Sequence, residues 1–415
     1  MNSIDSNILI IGILLLAAVL ASKLADRLGV PALLLFLGLG MLAGSEGIGR
    51  IEFDAPGIAQ AVGTIALTII LFSGGLETDA AGVRKVLLPG LVLSTFGVLV
   101  TALLLSGFAW FVLGTYSSFD VGTRGVRWIE AFLLASIVSS TDAAAVFSVF
   151  RTSTVQPRQN IRHLLEFESG SNDPMAVLLT ITVLDFMIQG DTEISNIAIR
   201  LITQLVVGVV TGGLIGFVGV RVIDRLHLSA NGLYPMLVLS LGLISFGVAY
   251  VTGGNGFLAV YVAGVVIGNG SIRRRKSVLE FHDGLSWLAQ ITMFIVLGLL
   301  VYPSRLTSVA AVAVAMSVFL MLIARPVGVL LCLLPFRLQR NELAYISWVG
   351  MRGSVPIVLA TFPISYGLPD ADAIFNVIFF IVMTSVLIQG LTLVPCARWL
   401  GVSEPVSTLL DKRSG

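Results

Sequence analysis

Charge is scarce in this sequence of 415 residues: Asp, Glu, Lys and Arg together make up 12%, whereas hydrophobic residues make up 56%. Soluble globular domains carry about 25% charged residues, so the composition excludes an ordinary soluble domain. A bilayer core about 30 Å thick requires about 20 apolar residues per helix, and segments of this kind recur along the whole chain. We therefore predict an all-α polytopic membrane protein, in contact with lipid and without a nucleic-acid partner.

Cysteine and histidine are also nearly absent. The two cysteines, Cys332 and Cys396, lie in or at the end of apolar segments, far apart in sequence, which argues against a disulfide framework and against a cysteine metal site. The three histidines, His163, His227 and His282, are expected in cytoplasmic loops or at helix ends, with solvated surface roles. No cofactor is expected, and no nucleophile and base combination indicates an enzyme.

Hydrophobic runs of spanning length predict thirteen transmembrane helices. They divide into helices 1 to 6 within 7–189, a connector helix 7 at 195–220, helices 8 to 13 within 231–397, and a short cytoplasmic tail at 398–415, all as one transmembrane domain. The predicted spans are 7–22, 30–48, 57–76, 86–114, 128–150, 163–189, 195–220, 231–251, 255–269, 284–301, 306–334, 342–366 and 371–397.

The distribution of basic residues gives the predicted orientation. Eighteen of the 25 Lys and Arg residues follow odd-numbered spans or lie in the tail, whereas four precede the first span or follow even-numbered spans. Because cytoplasmic loops collect Lys and Arg, the N-terminus is expected outside and the C-terminus in the cytoplasm.

An odd number of helices permits two inverted six-helix repeats joined by a connector. The fifth helix of each half is interrupted, by "VSSTDAAAVF" at 138–147 and by "VGMRGSVPIV" at 349–358. Polar, breakable segments in matching positions of two repeats mark a binding site near the membrane midplane. We therefore predict that helices 5 and 12 are broken and lie close together.

Five charged residues are expected at membrane depth: Asp142, Glu168, Asp173, Arg325 and Arg352. A charge at this depth is costly and is normally paired or faces a cavity. Glu168 is predicted to form a structural ion pair with either Arg325 or Arg352. Asp142 has two open interpretations, an ion-binding group or a carboxylate that offsets the dipole of a broken helix.

Asp173 is the principal candidate for ion binding, because Asn172, Pro174 and nearby hydroxyls such as Ser169 surround it with oxygen rather than with a partner charge. Pro174 lacks an N–H group, so it should free the carbonyl of Gly170 and loosen the sixth helix. Hard cations take oxygen ligands, and burial disfavours the charged form of a carboxylate. One aspartate that accepts either a proton or a cation provides a mechanism for exchange.

At these residues the sequence resembles the cation:proton antiporters of the NhaP/NHE type, and most of all their bacterial potassium/proton branch. The resemblance covers nearly the whole chain and rests on these segments: "PALLLFLGLGMLAG" (31–44), "LFSGGLETD" (71–79), "SSTDAAAVF" (139–147), "FESGSNDPMAV" (167–177), "GGNGFLAVYVAGVVIGN" (253–269) and "GMRGSVPIVLA" (350–360).

The resemblance implies exchange of K⁺ or Na⁺ for protons across the cell (inner) membrane by alternating access, a role in pH homeostasis, and a homodimer. It makes Asp173 the ion-binding carboxylate of an Asn-Asp pair and places Asn172 where electrogenic relatives carry a second Asp. Thr141 and Asp142 match the Thr-Asp of the unwound fifth helix, so Asp173, Thr141 and Ser169 are the implied ligands of the monovalent cation. Glu168 matches a Glu that pairs with an intramembrane Arg, and both Arg325 and Arg352 match family arginines.

Exchange is expected to be electroneutral, one cation for one proton, because only one carboxylate titrates: Asn172 cannot titrate and Glu168 is held by an arginine.

Two other classes of membrane protein use buried carboxylates. A cation channel or uniporter without proton coupling would need a continuous polar pore, and an intramembrane aspartic protease would need a catalytic dyad, but neither has a recognisable motif here. Potassium-type relatives usually carry a long cytoplasmic regulatory portion after the last helix, whereas this sequence ends at "SEPVSTLLDKRSG". Either the chain is a trimmed membrane domain or this member lacks that regulation, so nucleotide control is not predicted for these residues.

Overall fold

The computed structural model of the chain describes residues 3–28, 30–115, 127–150, 153–189 and 194–405. Up to the predicted connector, the helices are α1 (Ser3–Leu28), α2 (Ala32–Ala43), α3 (Pro56–Glu77), α4 (Ala80–Val92), α5 (Val98–Thr115), α6 (Trp128–Ile137), α7 (Ala143–Phe150), α8 (Gln159–Gln189) and α9 (Ile194–Arg225). After it come α10 (Leu233–Val251), α11 (Gly256–Gly268), α12 (Arg275–Leu299), α13 (Pro303–Phe319), α14 (Arg325–Leu333), α15 (Arg340–Trp348), α16 (Ser354–Leu359), α17 (Thr361–Ser365) and α18 (Ala371–Trp399).

The predicted class, an all-α polytopic membrane protein, is confirmed. Within the described residues eight helices are long and apolar enough to cross a membrane, and four shorter apolar helices accompany them. Each predicted span coincides with one helix or with consecutive helices, but the number thirteen itself stays a prediction. The two predicted breaks are present, because residues 138–142 separate α6 from α7 and residues 349–353 separate α15 from α16.

The two halves repeat the same local features seven spans apart. In each half the long helix before the broken one contains a π-helical turn, at Leu93–Gly97 between α4 and α5 and at Leu320–Ala324 between α13 and α14. The first piece of each broken helix then begins with a glutamate that accepts from the backbone N–H three residues earlier: Glu130 from Arg127 at 2.9 Å and Glu342 from Gln339 at 3.1 Å. These pairs satisfy helix N-termini in matching places.

Close glycine contacts join the halves in a reciprocal way. A Cβ atom built on Gly40 in α2 would lie 2.9 Å from the Cα of Gly298 in α12, and one on Gly75 in α3 would lie 3.1 Å from the Cα of Gly264 in α11. The second predicted span therefore packs on the tenth as the third packs on the ninth. Spans 2 and 9 correspond in the two halves, as do spans 3 and 10. A two-fold operation that relates the halves therefore converts each of these contacts into the other.

Two expectations about individual residues are wrong. His163 and His282 do not lie on the solvated surface: both are buried, within α8 and α12, and only His227 is exposed. Helix α12 begins at Arg275, nine residues before the predicted span, which moves His282 from a loop into the bundle.

The predicted loosening of the sixth span is also not observed. Helix α8 runs without interruption through Pro174. The carbonyl of Pro174 accepts a hydrogen bond from Asn255 Nδ2 at 3.0 Å, so α11 supports α8 at this position.

Part of the predicted tail is folded against the bundle. Strand β1 (Val155–Pro157), between α7 and α8, pairs antiparallel with strand β2 (Ser403–Pro405), which follows α18. The remainder of the predicted tail, residues 406–415, lies outside the described residues.

The contact between α2 and α12 gives a stability prediction. A Cβ on Gly40 would meet the main-chain oxygen of Ile295 at 2.3 Å, whereas a Cβ on Gly38, in the same helix, would meet nothing within 4 Å. Overpacking against backbone costs about 1–3 kcal/mol, so Gly40→Ala should lower the melting temperature of the detergent-solubilised protein. Gly38→Ala is the matched control and should leave it unchanged or raise it, since Ala favours helix. Equal melting temperatures of the two variants would contradict this packing.

Candidate ion-binding site

The two non-helical segments cross in direct contact. The backbone N–H of Asp142 donates to the carbonyl of Met351 at 2.8 Å. The guanidinium of Arg352 donates from Nη1 to the carbonyls of Ser139 and Ser140, each at 2.6 Å. The close approach of the two breaks, which was predicted from the sequence, is therefore made by a backbone hydrogen bond between the halves and by the Arg352 side chain on backbone carbonyls of the first half.

Opposite charges stand at the helix ends that the breaks create. The Asp142 carboxylate accepts from the N–H of Ala145 at 2.9 Å, and also from those of Ala144 and Ser354, so it meets the N-terminal turns of both α7 and α16. Arg352 meets the carbonyls that follow α6. Because a helix is positive at its N-terminus and negative at its C-terminus, both charges oppose the local dipoles. This placement agrees with the dipole-offset interpretation of Asp142.

Glycine is required at position 353 by this arrangement. A Cβ atom there would lie 1.7 Å from Asp142 Oδ2. Any side chain would displace the carboxylate from the N-terminal turn of α16. The glycine therefore allows the Asp142 carboxylate to accept backbone N–H groups from both α7 and α16.

Side chains of α8 complete the first break. Asn172 Nδ2 donates to Thr141 Oγ1 at 2.7 Å, and the N–H of Thr141 donates to Asn172 Oδ1 at 3.4 Å. The N–H of Ala143 donates to Ser169 Oγ at 3.0 Å. Polar backbone groups that leave the helix are thus satisfied inside an apolar bundle.

Helix α18 supports the second break in the same manner. The N–H of Arg352 donates to Ser385 Oγ at 3.0 Å, Ser385 donates to Gln389 Oε1, and Gln389 Nε2 donates to the carbonyl of Trp348 at 2.6 Å. Both supporting side chains are almost fully buried. This pair is not among the residues predicted from the sequence, although a Ser and a Gln four residues apart in an apolar helix have the spacing of Ser169 and Asp173.

Asp173 differs from these groups because part of its carboxylate is unused. The residue is 8% exposed, and its buried Oδ1 has no hydrogen-bond partner of good geometry in the described part of the chain; the hydroxyl beside the carboxylate is that of Ser140, which has no such partner either. Asp173 lines a cavity of about 360 Å³ together with Asp142 and Ser169, whereas Thr141 and Asn172 are not in its lining. A buried, unsatisfied carboxylate oxygen is unfavourable unless a proton or a cation occupies it.

The cavity reaches solvent as well as the buried Asp173. Its lining also includes the half-buried Gln156 and Glu166 and the exposed Arg162 and Asp283, so these residues mark its mouth. The Asp173, Ser169 and Asp142 side chains at its inner end supply oxygen atoms, the ligand type of hard monovalent cations.

Glu168 forms an ion pair with Arg325 rather than with Arg352. Two parallel contacts join the groups, Nη1 to Oε1 and Nη2 to Oε2, the second at 2.9 Å, and the two side chains are 1% and 5% exposed. The pair connects α8 with α14. Both charges are buried, so each requires the other.

Two crossed broken helices from inverted halves, with a carboxylate beside the crossing at the end of a cavity, define a secondary transporter. The chain belongs to the sodium/hydrogen exchanger family of transmembrane proteins, whose family model matches residues 12–399. The activity predicted from the sequence, exchange of a monovalent cation for protons, is thereby confirmed.

Individual relatives agree with this membership. The chain is 41% identical over 405 residues to the K(+)/H(+) antiporter NhaP of Alkalimonas amylolytica, covering 98% of this chain and 68% of that protein. It is 42% identical over 417 residues to the K(+)/H(+) antiporter NhaP2 of Shewanella baltica, covering 100% and 70%. Among solved structures, the sodium proton antiporter MjNhaP1 from Methanocaldococcus jannaschii at pH 8 matches with a TM-score of 0.77 at 25% identity, covering 92% of this chain and 99% of that chain.

The buried ion pair gives the second prediction. Glu168→Ala should lower folded yield and reduce the free energy of unfolding by about 3–5 kcal/mol, because it leaves the Arg325 charge buried and unpaired. The double variant Glu168→Ala/Arg325→Ala should recover part of this loss, as judged by thermal unfolding in detergent. Glu280→Ala is the control, since Glu280 and Lys276 form an exposed pair at 3.8 Å. A fully stable, fully active Glu168→Ala protein would refute the structural role.

The support of the second break gives the third prediction. Gln389→Ala removes the donor to the Trp348 carbonyl, and a buried acceptor without its donor costs about 1–3 kcal/mol, so melting temperature and exchange rate should both fall. Thr384→Ala in the same helix is the control, because Thr384 Oγ1 donates only to its own helix, at Phe380 O. If the two variants behave alike, Gln389 does not position the break.

Proposed function

We propose that the chain exchanges one K⁺ or Na⁺ for one proton across the cell membrane by alternating access, with Asp173 as the shared carboxylate. The observation that carries the proposal is the unpartnered, buried Asp173 Oδ1 at the inner end of a cavity. The relatives at 41% and 42% identity are named K(+)/H(+) antiporters, whereas the Na(+)/H(+) antiporter NhaP of Pseudomonas aeruginosa is 27% identical. Potassium is therefore the first cation to test.

The other acidic groups near the crossing are already engaged. Asp142 accepts backbone N–H groups at two helix ends, and Glu168 is held by Arg325. Asn172 cannot titrate, and its amide is bound to Thr141. Asp173 is thus the carboxylate that can exchange its proton for a cation without dismantling the crossing.

Ser169 supplies a further oxygen for the cation. Its Oγ accepts the N–H of Ala143, and a hydroxyl oxygen has two acceptor sites, so one remains for a ligand. Thr141 and Asn172 are outside the cavity lining and hold the backbone of the first break, while Asp142, which is in the lining, contributes negative charge.

Electroneutral exchange follows if a single carboxylate binds the proton and the cation in turn. When Asp173 carries a proton or a monovalent cation, the moving site has the same net charge, so a complete cycle moves no net charge. The two ligands also compete for one site, so the apparent affinity for the cation should fall as the pH falls.

We further propose the orientation and assembly expected from the sequence. The mouth of the cavity, at Gln156, Arg162 and Asp283, lies by the ends of spans whose connecting loops carry the excess of Lys and Arg, so this arrangement opens to the cytoplasm. Helices α1 and α9 present largely exposed apolar faces, with 11% and 28% of their spanning windows buried. These faces would contact lipid and, in a homodimer, the second copy.

The fourth prediction concerns Asp173 and voltage. In proteoliposomes, Asp173→Asn should abolish cation-dependent dissipation of a pH gradient with little change in melting temperature, because the amide has the same shape but exchanges no proton. Asp185→Asn is the matched control on the same helix, where Asp185 lies 3.7 Å from Arg200 and outside the cavity lining. It should retain exchange.

The same assay tests coupling. K⁺, Na⁺, Li⁺ and Rb⁺ are added in turn, with membrane potentials set by valinomycin for Na⁺ exchange and by a lipophilic anion for K⁺ exchange. Wild-type rates should not depend on potential. Cation flux without proton movement would indicate a channel, and rates that rise steeply with voltage would rule out a one-for-one exchange.

A further inference from the structure

The cavity contains a second buried polar group without a partner, the hydroxyl of Tyr261 in α11. Tyr261 is 5% exposed, and its Oη has no hydrogen-bond partner of good geometry in the described part of the chain. The neighbouring Thr78 hydroxyl donates elsewhere, to the carbonyl of Gly74 at 2.7 Å. A buried hydroxyl left unsatisfied is unfavourable, so this group is suited to a ligand that enters the cavity.

The tyrosine ring lies against the backbone of α8 at Gly170. A Cβ atom on Gly170 would lie 2.5 Å from Cζ of Tyr261 and 2.7 Å from its Oη. Glycine is therefore the residue that allows the hydroxyl to approach α8 this closely.

This contact falls midway between two carboxylates on α8. Glu166, Gly170 and Asp173 are spaced by four and three residues, so they share one face of the helix, and all three line the cavity with Tyr261. The rise from Glu166 to Asp173 is about 10 Å along the helix axis. Glu166, at the outer end, is paired with Arg162 at 2.8 Å, and that guanidinium is the positive charge on this face.

We propose that the Tyr261 hydroxyl is a further cation-binding group, which coordinates the cation between Glu166 and Asp173 and contributes to the choice between K⁺ and Na⁺. This inference rests on the proposed function. A cation that enters a narrow protein passage exchanges water oxygens for protein oxygens. The tyrosine oxygen has lone pairs to offer, and as a neutral ligand it leaves the charge moved per cycle unchanged.

Selectivity follows from the position of the ring. Discrimination between monovalent cations depends on cavity size and on the number of coordinating oxygens. The carboxylates of the site can bind either K⁺ or Na⁺. The hydroxyl, which lies against Gly170, adds one more coordinating oxygen at a defined position.

The experiment compares Tyr261→Phe with wild type in proteoliposomes over ranges of K⁺ and Na⁺. Loss of one ligand should raise the apparent KM for at least one cation about threefold to tenfold and change the ratio of the K⁺ and Na⁺ values, while the maximal rate stays within about twofold. Gly170→Ala, which displaces the hydroxyl without removing it, should raise KM in the same direction. Unchanged KM values and an unchanged ratio in Tyr261→Phe would overturn the proposal, as would a lower maximal rate for all cations at constant KM.

Tyr345→Phe is the matched control, because Tyr345 is also buried with an unpartnered Oη but is not in the cavity lining. Its KM values and their ratio should equal those of wild type. A binding measurement separates this inference from the proposed function: the rise in melting temperature with K⁺ or Na⁺ is recorded for wild type, Tyr261→Phe and Asp173→Asn. Wild type that binds cations but moves no protons would overturn the exchange function, whereas wild-type cation binding by Tyr261→Phe would overturn the role of the hydroxyl.

Discussion

The crossing of two interrupted helices inside an apolar bundle is the constraint on which the rest of the structure depends. A broken helix leaves N–H and C=O groups without partners, and a bilayer offers no water to satisfy them. The protein solves this with backbone contact between the halves, with Asp142 and Arg352 at helix ends of opposite polarity, and with polar side chains from α8 and α18. Most polar residues at this depth are therefore structural.

This solution also leaves one carboxylate, that of Asp173, for the ion binding that we propose. In the first half, α8 presents Ser169 and, four residues later, Asp173. In the second half, α18 presents Ser385 and, four residues later, Gln389, whose amide is bound to Trp348 and Ser385. The inverted halves thus build the same support twice but place an ionisable group in only one. A symmetric architecture with an asymmetric charge is consistent with one proton exchanged for one cation.

The two acidic residues Glu168 and Asp173 of α8 differ in role because they differ in their contacts. Glu168 and Arg325 form a closed pair that connects α8 with α14, and removing either would expose a buried charge to an apolar environment. Asp173, only five residues after Glu168, faces the cavity instead. Because α8 turns about 100° per residue, neighbouring acidic residues on one helix have unrelated surroundings. This separation lets one helix carry both a buried ion pair and the proposed exchanging carboxylate.

The sequence alone determined the membrane class, the approximate positions of the helices, both breaks and the family, because each depends on local hydropathy, on breaker residues or on ordered motifs. It also placed Asp173 among oxygen-bearing neighbours. Tertiary structure decided which arginine meets Glu168, since Arg325 and Arg352 are both far from Glu168 in sequence and only packing brings one of them to α8. It likewise decided that His282 is buried, that α8 continues through Pro174, and that Ser385, Gln389 and Tyr261 reach the crossing and its cavity. These facts depend on contacts between residues far apart in the chain, such as that of Arg325 with Glu168, 157 positions away, which no local pattern encodes.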